Sequence, residues 1–125
     1  MILDTNALSA VADDEPAAVK LFGQASSIEL PAIVLGEYRF GIALSSRRKE
    51  YEKWVEQLIA ATRVLPVDQE TAGHYAQVRS ELKKAGNPIP SNDLWIAALC
   101  RQHRLPLMSQ DTHFDAVQGL KRIRW

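Results

Sequence analysis

Two aspartates each follow a short apolar segment that is typical of a buried β-strand. Asp4 comes after residues 1–3, and Asp111 comes after residues 105–109. Buried strands of parallel sheets appear as short apolar runs, and the ligand sites of such sheets lie beyond the carboxyl ends of the strands. Both carboxylates are therefore expected at one edge of a sheet. The alternative is that Asp4, or Asn6 after it, only caps the helix predicted over residues 7–12.

Two further carboxylates lie on predicted helices. At helical spacing Glu37 shares a face with Phe40 and Leu44, and Asp93 shares a face with Ile96. A buried carboxylate is costly unless it pairs with a cation or binds a metal, so both positions indicate a function. A salt bridge to an arginine would also explain Glu37. The dipole of the predicted helix would also explain Asp93, which lies near its start.

The four carboxylates together predict a divalent-cation site. Like charges held close together repel one another unless a cation lies between them. All-oxygen ligation favours Mg²⁺ or Mn²⁺, which keep waters that contact substrate phosphates and can activate a water for in-line attack at phosphorus. We expect Asp4, Glu37, Asp93 and Asp111 to be metal ligands and catalytic residues. Neighbouring side chains are predicted to orient ligands or waters from behind, namely Thr5, Asn6, Ser109 and Asp115.

Strands and helices alternate along the elements that would position these residues. Strands are predicted within residues 1–3, 26–31, 63–67 and 105–109, with an edge strand at 121–125. Helices are predicted at residues 7–12, 16–22, 32–44, 51–59 and 68–84, and from 91 or 92 to 100. The alternation predicts a three-layer α/β/α fold with a central parallel sheet of four to five short strands. Residues 1–125 are expected to form a single domain.

The composition excludes several classes of protein. Of the 125 residues, 46% are hydrophobic and 24% are charged, as in globular domains. The single Cys100 excludes a disulfide scaffold and suits a reducing compartment. No apolar run approaches the roughly 20 residues of a membrane span, and the sequence has no secretory signal pattern. We therefore predict a cytoplasmic protein without a membrane partner.

No other catalytic motif competes with the carboxylates. The sequence has no Walker-type glycine loop, no HExxH or CxxC zinc spacing and no G-x-S-x-G nucleophile elbow. His113, two residues after Asp111, resembles part of a catalytic dyad. A lone histidine beside an aromatic residue such as Phe114 more often has a structural role, which is the interpretation favoured here.

Four segments resemble the PIN-domain ribonucleases of the VapC toxin type, which belong to toxin–antitoxin modules. These segments are residues 3–8, 37–42, 92–98 and 109–115, in the order found in that family. The acids of the family match Asp4, Glu37, Asp93 and Asp111, whereas Ser109 stands where threonine is common. The resemblance implies endonucleolytic cleavage of RNA with Mg²⁺ or Mn²⁺, a homodimer, and inhibition by a cognate antitoxin protein that occupies the acidic site.

Local basic clusters would then hold the RNA backbone. The 15 basic and 15 acidic residues balance, so the net charge does not itself indicate a polyanionic partner. Basic clusters are usually solvated helix faces, but they also contact phosphates around an acidic centre. The predicted RNA-binding residues are Arg39, Arg47, Arg48, Lys83 and Lys84.

Two alternative functions stay open at this point. A receiver-like signalling domain would bind Mg²⁺ without hydrolysing RNA, but it needs a phosphoacceptor aspartate after the third strand and a lysine after a later one. Asp68 is the only candidate acceptor, and no lysine fits. A catalytically silent RNA- or protein-binding module would gain nothing from concentrated negative charge. The sequence therefore favours a metal-dependent endoribonuclease.

Overall fold

A five-stranded sheet with six α-helices makes up the computed structural model, which describes residues 1–125. The strands are β1 (Ile2–Leu3), β2 (Glu29–Pro31), β3 (Arg63–Leu65), β4 (Leu107–Met108) and β5 (Arg122–Ile123). The helices are α1 (Thr5–Ala12), α2 (Pro16–Gln24), α3 (Ala32–Ile42), α4 (Arg48–Ala61), α5 (Gln69–Lys84) and α6 (Ser91–His103). A short 3₁₀ helix, Thr112–Ala116, lies between β4 and β5.

The sheet has the strand order β3-β2-β1-β4-β5, and all neighbouring strands are parallel. From β1 the chain moves outward through β2 to β3, and it then returns to the other side of β1 to form β4 and β5. The direction of winding thus reverses between β1 and β4. In open α/β sheets, ligands bind beyond the carboxyl ends of the strands at such a reversal.

Both faces of the central strands are covered. Ile2 and Leu3 of β1, and Leu107 and Met108 of β4, have no exposed surface. Successive side chains of a strand point to opposite faces of the sheet, so helices must pack on both sides. This burial agrees with the predicted parallel, doubly covered sheet and explains why these strands consist only of apolar residues.

Several boundaries differ from those predicted. Helix α4 begins at Arg48 rather than at 51, and α6 begins directly after Pro90 rather than after a Ser91 or Asn92 cap. Strand β1 ends at Leu3 because Asp4 already caps α1, accepting a hydrogen bond from the Ala7 N–H at 2.8 Å. No helix in the structure combines the length and the apolar character that crossing a lipid bilayer requires.

The predicted apolar stripe of α3 is wrong. Phe40 and Leu44 are 84% and 100% exposed, and the buried face of this helix instead carries Leu35, Tyr38 and Ile42. Both sets have the three- or four-residue spacing of a helix face, so the sequence contains two overlapping apolar stripes. Packing of α3 against α1, α4 and α6 buries only one of them.

Candidate metal centre

Asp4 is buried at the carboxyl end of β1 and is 3% exposed. Burial raises the pKa of this carboxyl above its usual value, and the negative charges of Asp111 and Asp93 raise it further. Hydrogen bonds from the Ser109 hydroxyl and the Ala7 N–H act in the opposite direction. Asp4 therefore caps α1, as the simpler interpretation of the sequence required, and also lies within the field of two other predicted site residues.

Asp93 lies in the first turn of α6 and is partly buried. Desolvation is the main reason that its pKa is raised; contact with His113 lowers the pKa, and repulsion by Asp111 and Glu37 raises it. Asp93 thus interacts electrostatically with each of the other three predicted ligands. The structure brings the four carboxylates to the sheet edge where β1 and β4 end.

Glu37 is held in place by a residue from another element. The Thr5 hydroxyl donates a hydrogen bond to Glu37 Oε1 at 3.0 Å and so connects the start of α1 with the middle of α3. Glu37 is only partly buried, so it lies between the packed and solvent-exposed faces of α3. Thr5 therefore contacts one of the four predicted ligands.

The closest group of potential ligands consists of Asp93, Asp111 and His113. One donor atom from each residue lies within 4.8 Å of the other two, whereas Asp4 and Glu37 do not belong to this compact group. His113 Nε2 is 2.8 Å from Asp93 Oδ2. The sequence favoured a structural role for His113 and missed it as a site residue. Its position two residues after Asp111 was the available signal.

The end of β4 is supported by a connected set of polar contacts. Ser109 is fully buried, and its hydroxyl accepts a hydrogen bond from the Asp111 N–H at 3.0 Å. Arg122 donates to the Ser109 carbonyl at 3.2 Å and pairs with both carboxylate oxygens of Asp115, at 2.8 and 2.9 Å. This arginine lowers the pKa of Asp115. Asp115 therefore reaches the site only through Arg122.

Asn6 has no comparable contact. It is exposed, and its side chain forms no hydrogen bond with any of the four carboxylates. The polar residue that follows Asp4 and contacts the site is Thr5.

The predicted RNA-binding residues fall into two groups. Three arginines already form exposed ion pairs, in which Arg39 contacts Glu56, Arg47 contacts Glu50 and Arg48 contacts Glu52. Lys83 and Lys84, in the last turn of α5, are exposed and form no ion pair.

A cavity of about 340 Å³ separates this last turn of α5 from the start of α6, and Lys83, Arg79, Ser91 and Leu94 line it. Ser91 and Leu94 are close to Asp93 in the sequence, but Asp93 itself does not line the cavity. Among the predicted RNA-binding residues, Lys83 and Lys84 are the two whose charges are not already paired with a carboxylate.

The donor set fits a divalent cation. Carboxylate oxygens are the preferred protein ligands of Mg²⁺ and Mn²⁺. Burial and mutual repulsion disfavour the ionised forms of Asp4 and Asp93, and a cation among them would offset both effects. The arrangement is therefore suited to holding an ion beside a phosphate group.

Comparison with known proteins gives consistent similarities over nearly the whole chain. The family model described as PIN domain matches residues 1–120. The chain is 34% identical over 122 residues to Toxin FitB of Neisseria gonorrhoeae, covering 90% of this chain and 88% of that protein. It is also 34% identical over 133 residues to VapC ribonuclease Y4jK of Sinorhizobium fredii, covering 98% of this chain and 95% of that protein.

A solved structure has the same arrangement of strands and helices. The crystal structure of DNA-bound VapBC from Salmonella typhimurium superposes with a TM-score of 0.86 and 25% sequence identity. The superposition covers 99% of this chain and 96% of the chain compared. The three-layer α/β/α fold predicted from the sequence is confirmed by this likeness.

Proposed function

This chain belongs to the PIN-domain family, and from that membership we propose that it is a metal-dependent endoribonuclease, the toxin component of a toxin–antitoxin system. The observation that carries the proposal is the cluster of four carboxylates at the reversal between β1 and β4. Residues 1–125 are proposed to act as one domain, since the sheet draws strands from both ends of this range.

The four carboxylates are proposed to hold Mg²⁺ or Mn²⁺ through Asp4, Glu37, Asp93 and Asp111. When bound, the ion would supply Lewis-acid activation of water and neutralise charge that develops on the phosphate. The Asp4 carboxylate is held by the Ala7 N–H and is 3% exposed, and the Thr5 hydroxyl restrains Glu37. This fixed geometry lowers the reorganisation required when the phosphodiester bond is cleaved.

Ser109 and Arg122 are proposed to support this site from behind. The Ser109 hydroxyl lowers the pKa of the Asp4 carboxyl and accepts the Asp111 N–H, so it connects the ends of β1 and β4. Arg122 holds the Ser109 carbonyl and pairs with Asp115. Contacts of this kind orient metal ligands and affect metal affinity.

The proposed partners are RNA, a cognate antitoxin protein and a second copy of this chain. An antitoxin at the acidic site would exclude RNA from it. A homodimer would cover apolar surface that the monomer exposes, and Phe40 of α3 and Leu44 in the turn after it provide such surface. The cytoplasm, where RNA is abundant, is the proposed location.

The two alternative functions have less support. Asp68, the only candidate phosphoacceptor of a receiver-like domain, is occupied in capping α5, where its carboxylate accepts the Thr71 N–H at 3.0 Å. A catalytically silent binding module does not explain why desolvated carboxylates are retained beside one another.

Incubating purified, antitoxin-free protein with total RNA and Mn²⁺ or Mg²⁺ tests the proposed activity. Discrete RNA fragments are expected, because a narrow site reads only some sequences or structures. The fragments should disappear in EDTA and return when excess Mn²⁺ is added, since the ion supplies the activated water. A folded protein that binds Mn²⁺ but leaves every class of RNA intact would contradict the proposal.

Replacing both Lys83 and Lys84 with alanine is expected to weaken RNA binding several-fold. Each phosphate contact with single-stranded RNA contributes about 0.7 to the slope of log affinity against log salt concentration. The slope should therefore fall by roughly 1.4 if both lysines contact phosphate. Fluorescence anisotropy with a labelled RNA substrate in EDTA, where no cleavage occurs, measures the slope.

The matched control replaces Arg47 and Arg48, whose guanidinium groups already pair with Glu50 and Glu52. This double variant removes the same formal charge and is expected to change the slope less. An equal or larger effect in the control would show that the RNA follows a different surface.

A further inference from the structure

His113 is the only histidine among the acidic residues of the site. It lies in the 3₁₀ helix Thr112–Ala116, which turns the chain back after Asp111. The next residue, Phe114, is fully buried, and its ring centroid is 4.9 Å from that of His113 at an angle of 52°. One face of the partly exposed imidazole therefore packs against a buried aromatic ring.

The Nε2 atom of this imidazole points into the site. It is shielded from solvent and is not satisfied by a hydrogen bond of normal geometry. Asp93 Oδ2 is 2.8 Å away, and a carboxylate oxygen of Asp111 completes the group of three donors within 4.8 Å. Adjacent ligands of an octahedral ion with bonds of about 2.1 Å are about 3.0 Å apart. The observed separation is close to such an edge.

The negative charge of the site also favours a neutral nitrogen ligand at this position. The site already holds four carboxylates, and the charges of Asp111 and Glu37 act on Asp93. Another anionic ligand would increase this repulsion. A neutral imidazole adds a strong donor without adding negative charge.

We propose that His113 Nε2 is a direct ligand of the divalent ion, together with Asp93 and Asp111, and that it makes the site selective for Mn²⁺ over Mg²⁺. The proposal rests on the proposed function for the presence of the ion. The selectivity follows from ligand chemistry, because imidazole suits transition metals whereas Mg²⁺ prefers oxygen ligands.

Replacing His113 with glutamine is expected to lower the affinity for Mn²⁺ by about tenfold or more, a loss seen when residues that support metal ligands are removed. The affinity for Mg²⁺ should change much less, so the ratio of the two affinities should fall. Isothermal titration calorimetry on the metal-free protein measures both. The matched control is His74→Gln, because His74 lies on α5 and forms no hydrogen bond or ion pair.

Pulsed electron paramagnetic resonance of bound Mn²⁺ distinguishes a metal ligand from a neighbouring hydrogen-bond partner. A ¹⁴N coupling from a directly bound imidazole is expected in the wild type and in His74→Gln, and it should be absent from His113→Gln. If wild-type protein with bound Mn²⁺ shows no such coupling, or if the coupling persists in His113→Gln, the assignment is overturned. The wild-type spectrum alone decides this point even if the variant folds poorly.

RNA cleavage by the same samples separates this inference from the proposed function. A ¹⁴N coupling without cleavage of any RNA would support His113 as a ligand and contradict the nuclease. Cleavage of RNA by Mn²⁺-loaded wild-type protein that shows no ¹⁴N coupling would support the nuclease and contradict His113 as a ligand. Failure of the folded protein to bind Mn²⁺ at all would overturn the ligand assignment directly.

Discussion

Replacing Asp4 with asparagine is expected to reduce RNA cleavage by at least about 100-fold without unfolding the protein. Removing a residue that only supports a metal ligand lowers metal affinity or activity roughly 10- to 100-fold. Removing a direct ligand should therefore lower activity at least as much. Asparagine preserves the size of the side chain and caps helices as well as aspartate does. The hydrogen bond to the Ala7 N–H is therefore retained while the negative charge is lost.

Stability measurements on two variants separate the capping role of Asp4 from its proposed metal role. Asp4→Ala loses the cap of α1 and should be destabilised by about 1 kcal/mol. Asp4→Asn should be at least as stable as the wild type in EDTA, because burial disfavours the ionised carboxylate. Urea denaturation gives the free energies of unfolding, and initial rates of RNA cleavage give the activity. An Asp4→Asn variant that cleaves RNA at the wild-type rate would rule out Asp4 as a required ligand.

Divalent metal is expected to stabilise the protein strongly near pH 7 and much less near pH 4. An ion that binds only the folded state at 100 times its dissociation constant adds about 2.7 kcal/mol to the free energy of unfolding. Protons compete with the ion for the same carboxylate oxygens. Metal binding should therefore weaken as the pH falls through the pKa values of the site.

Without metal, the contribution of this site to the free energy of unfolding should decrease as the pH rises. The folded-state pKa values of Asp4 and Asp93 are raised above the ordinary aspartate value of 3.8. Between pH 3.8 and the raised pKa values, the folded state therefore binds more protons than the unfolded state. Their contribution is fully favourable below about pH 3.8 and is lost as the pH rises through the raised pKa values. In EDTA this site therefore destabilises the fold at neutral pH, whereas Mn²⁺ compensates for the repulsion.

Thermal unfolding between about pH 4 and pH 7, with EDTA or excess Mn²⁺, measures both effects. Asp14→Asn is a suitable control, because Asp14 is an exposed carboxylate in the turn between α1 and α2 and is not among the proposed ligands or their contacts. In this control, Mn²⁺ should raise the unfolding temperature as much as in the wild type. In Asp93→Asn, Mn²⁺ should raise the unfolding temperature less. If Mn²⁺ raises the unfolding temperature of Asp93→Asn as much as that of the wild type, Asp93 is excluded as a ligand.

The sequence by itself was sufficient for the fold class, and it also predicted four candidate ligands. Apolar strand segments, helix periodicity and capping residues are local features, and local features predict the alternation of strands and helices. Asp4 and Asp111 could be assigned because each directly follows a strand. Asp93 could be assigned because it shares a helix face with Ile96, which is buried in the structure.

Only the tertiary structure decided which parts of these elements meet. Strand order places β4 beside β1, so that Asp4 and Asp111 lie at the reversal of the sheet. Helix packing exposes the side of α3 that carries Phe40, although its spacing is that of a buried stripe. These outcomes depend on contacts between residues far apart in the chain, which local periodicity does not specify.

The same reason explains why His113 was not assigned to the site from sequence. Its place beside Asp93 requires the 3₁₀ helix after β4 to pack next to the start of α6, and the rest of α6 and strand β4 separate the two residues in the chain. The types and the order of the candidate ligands were therefore predicted from local sequence. The distances between them, and the position of the His113 nitrogen beside them, depend on how β1, β4, α6 and the 3₁₀ helix pack together.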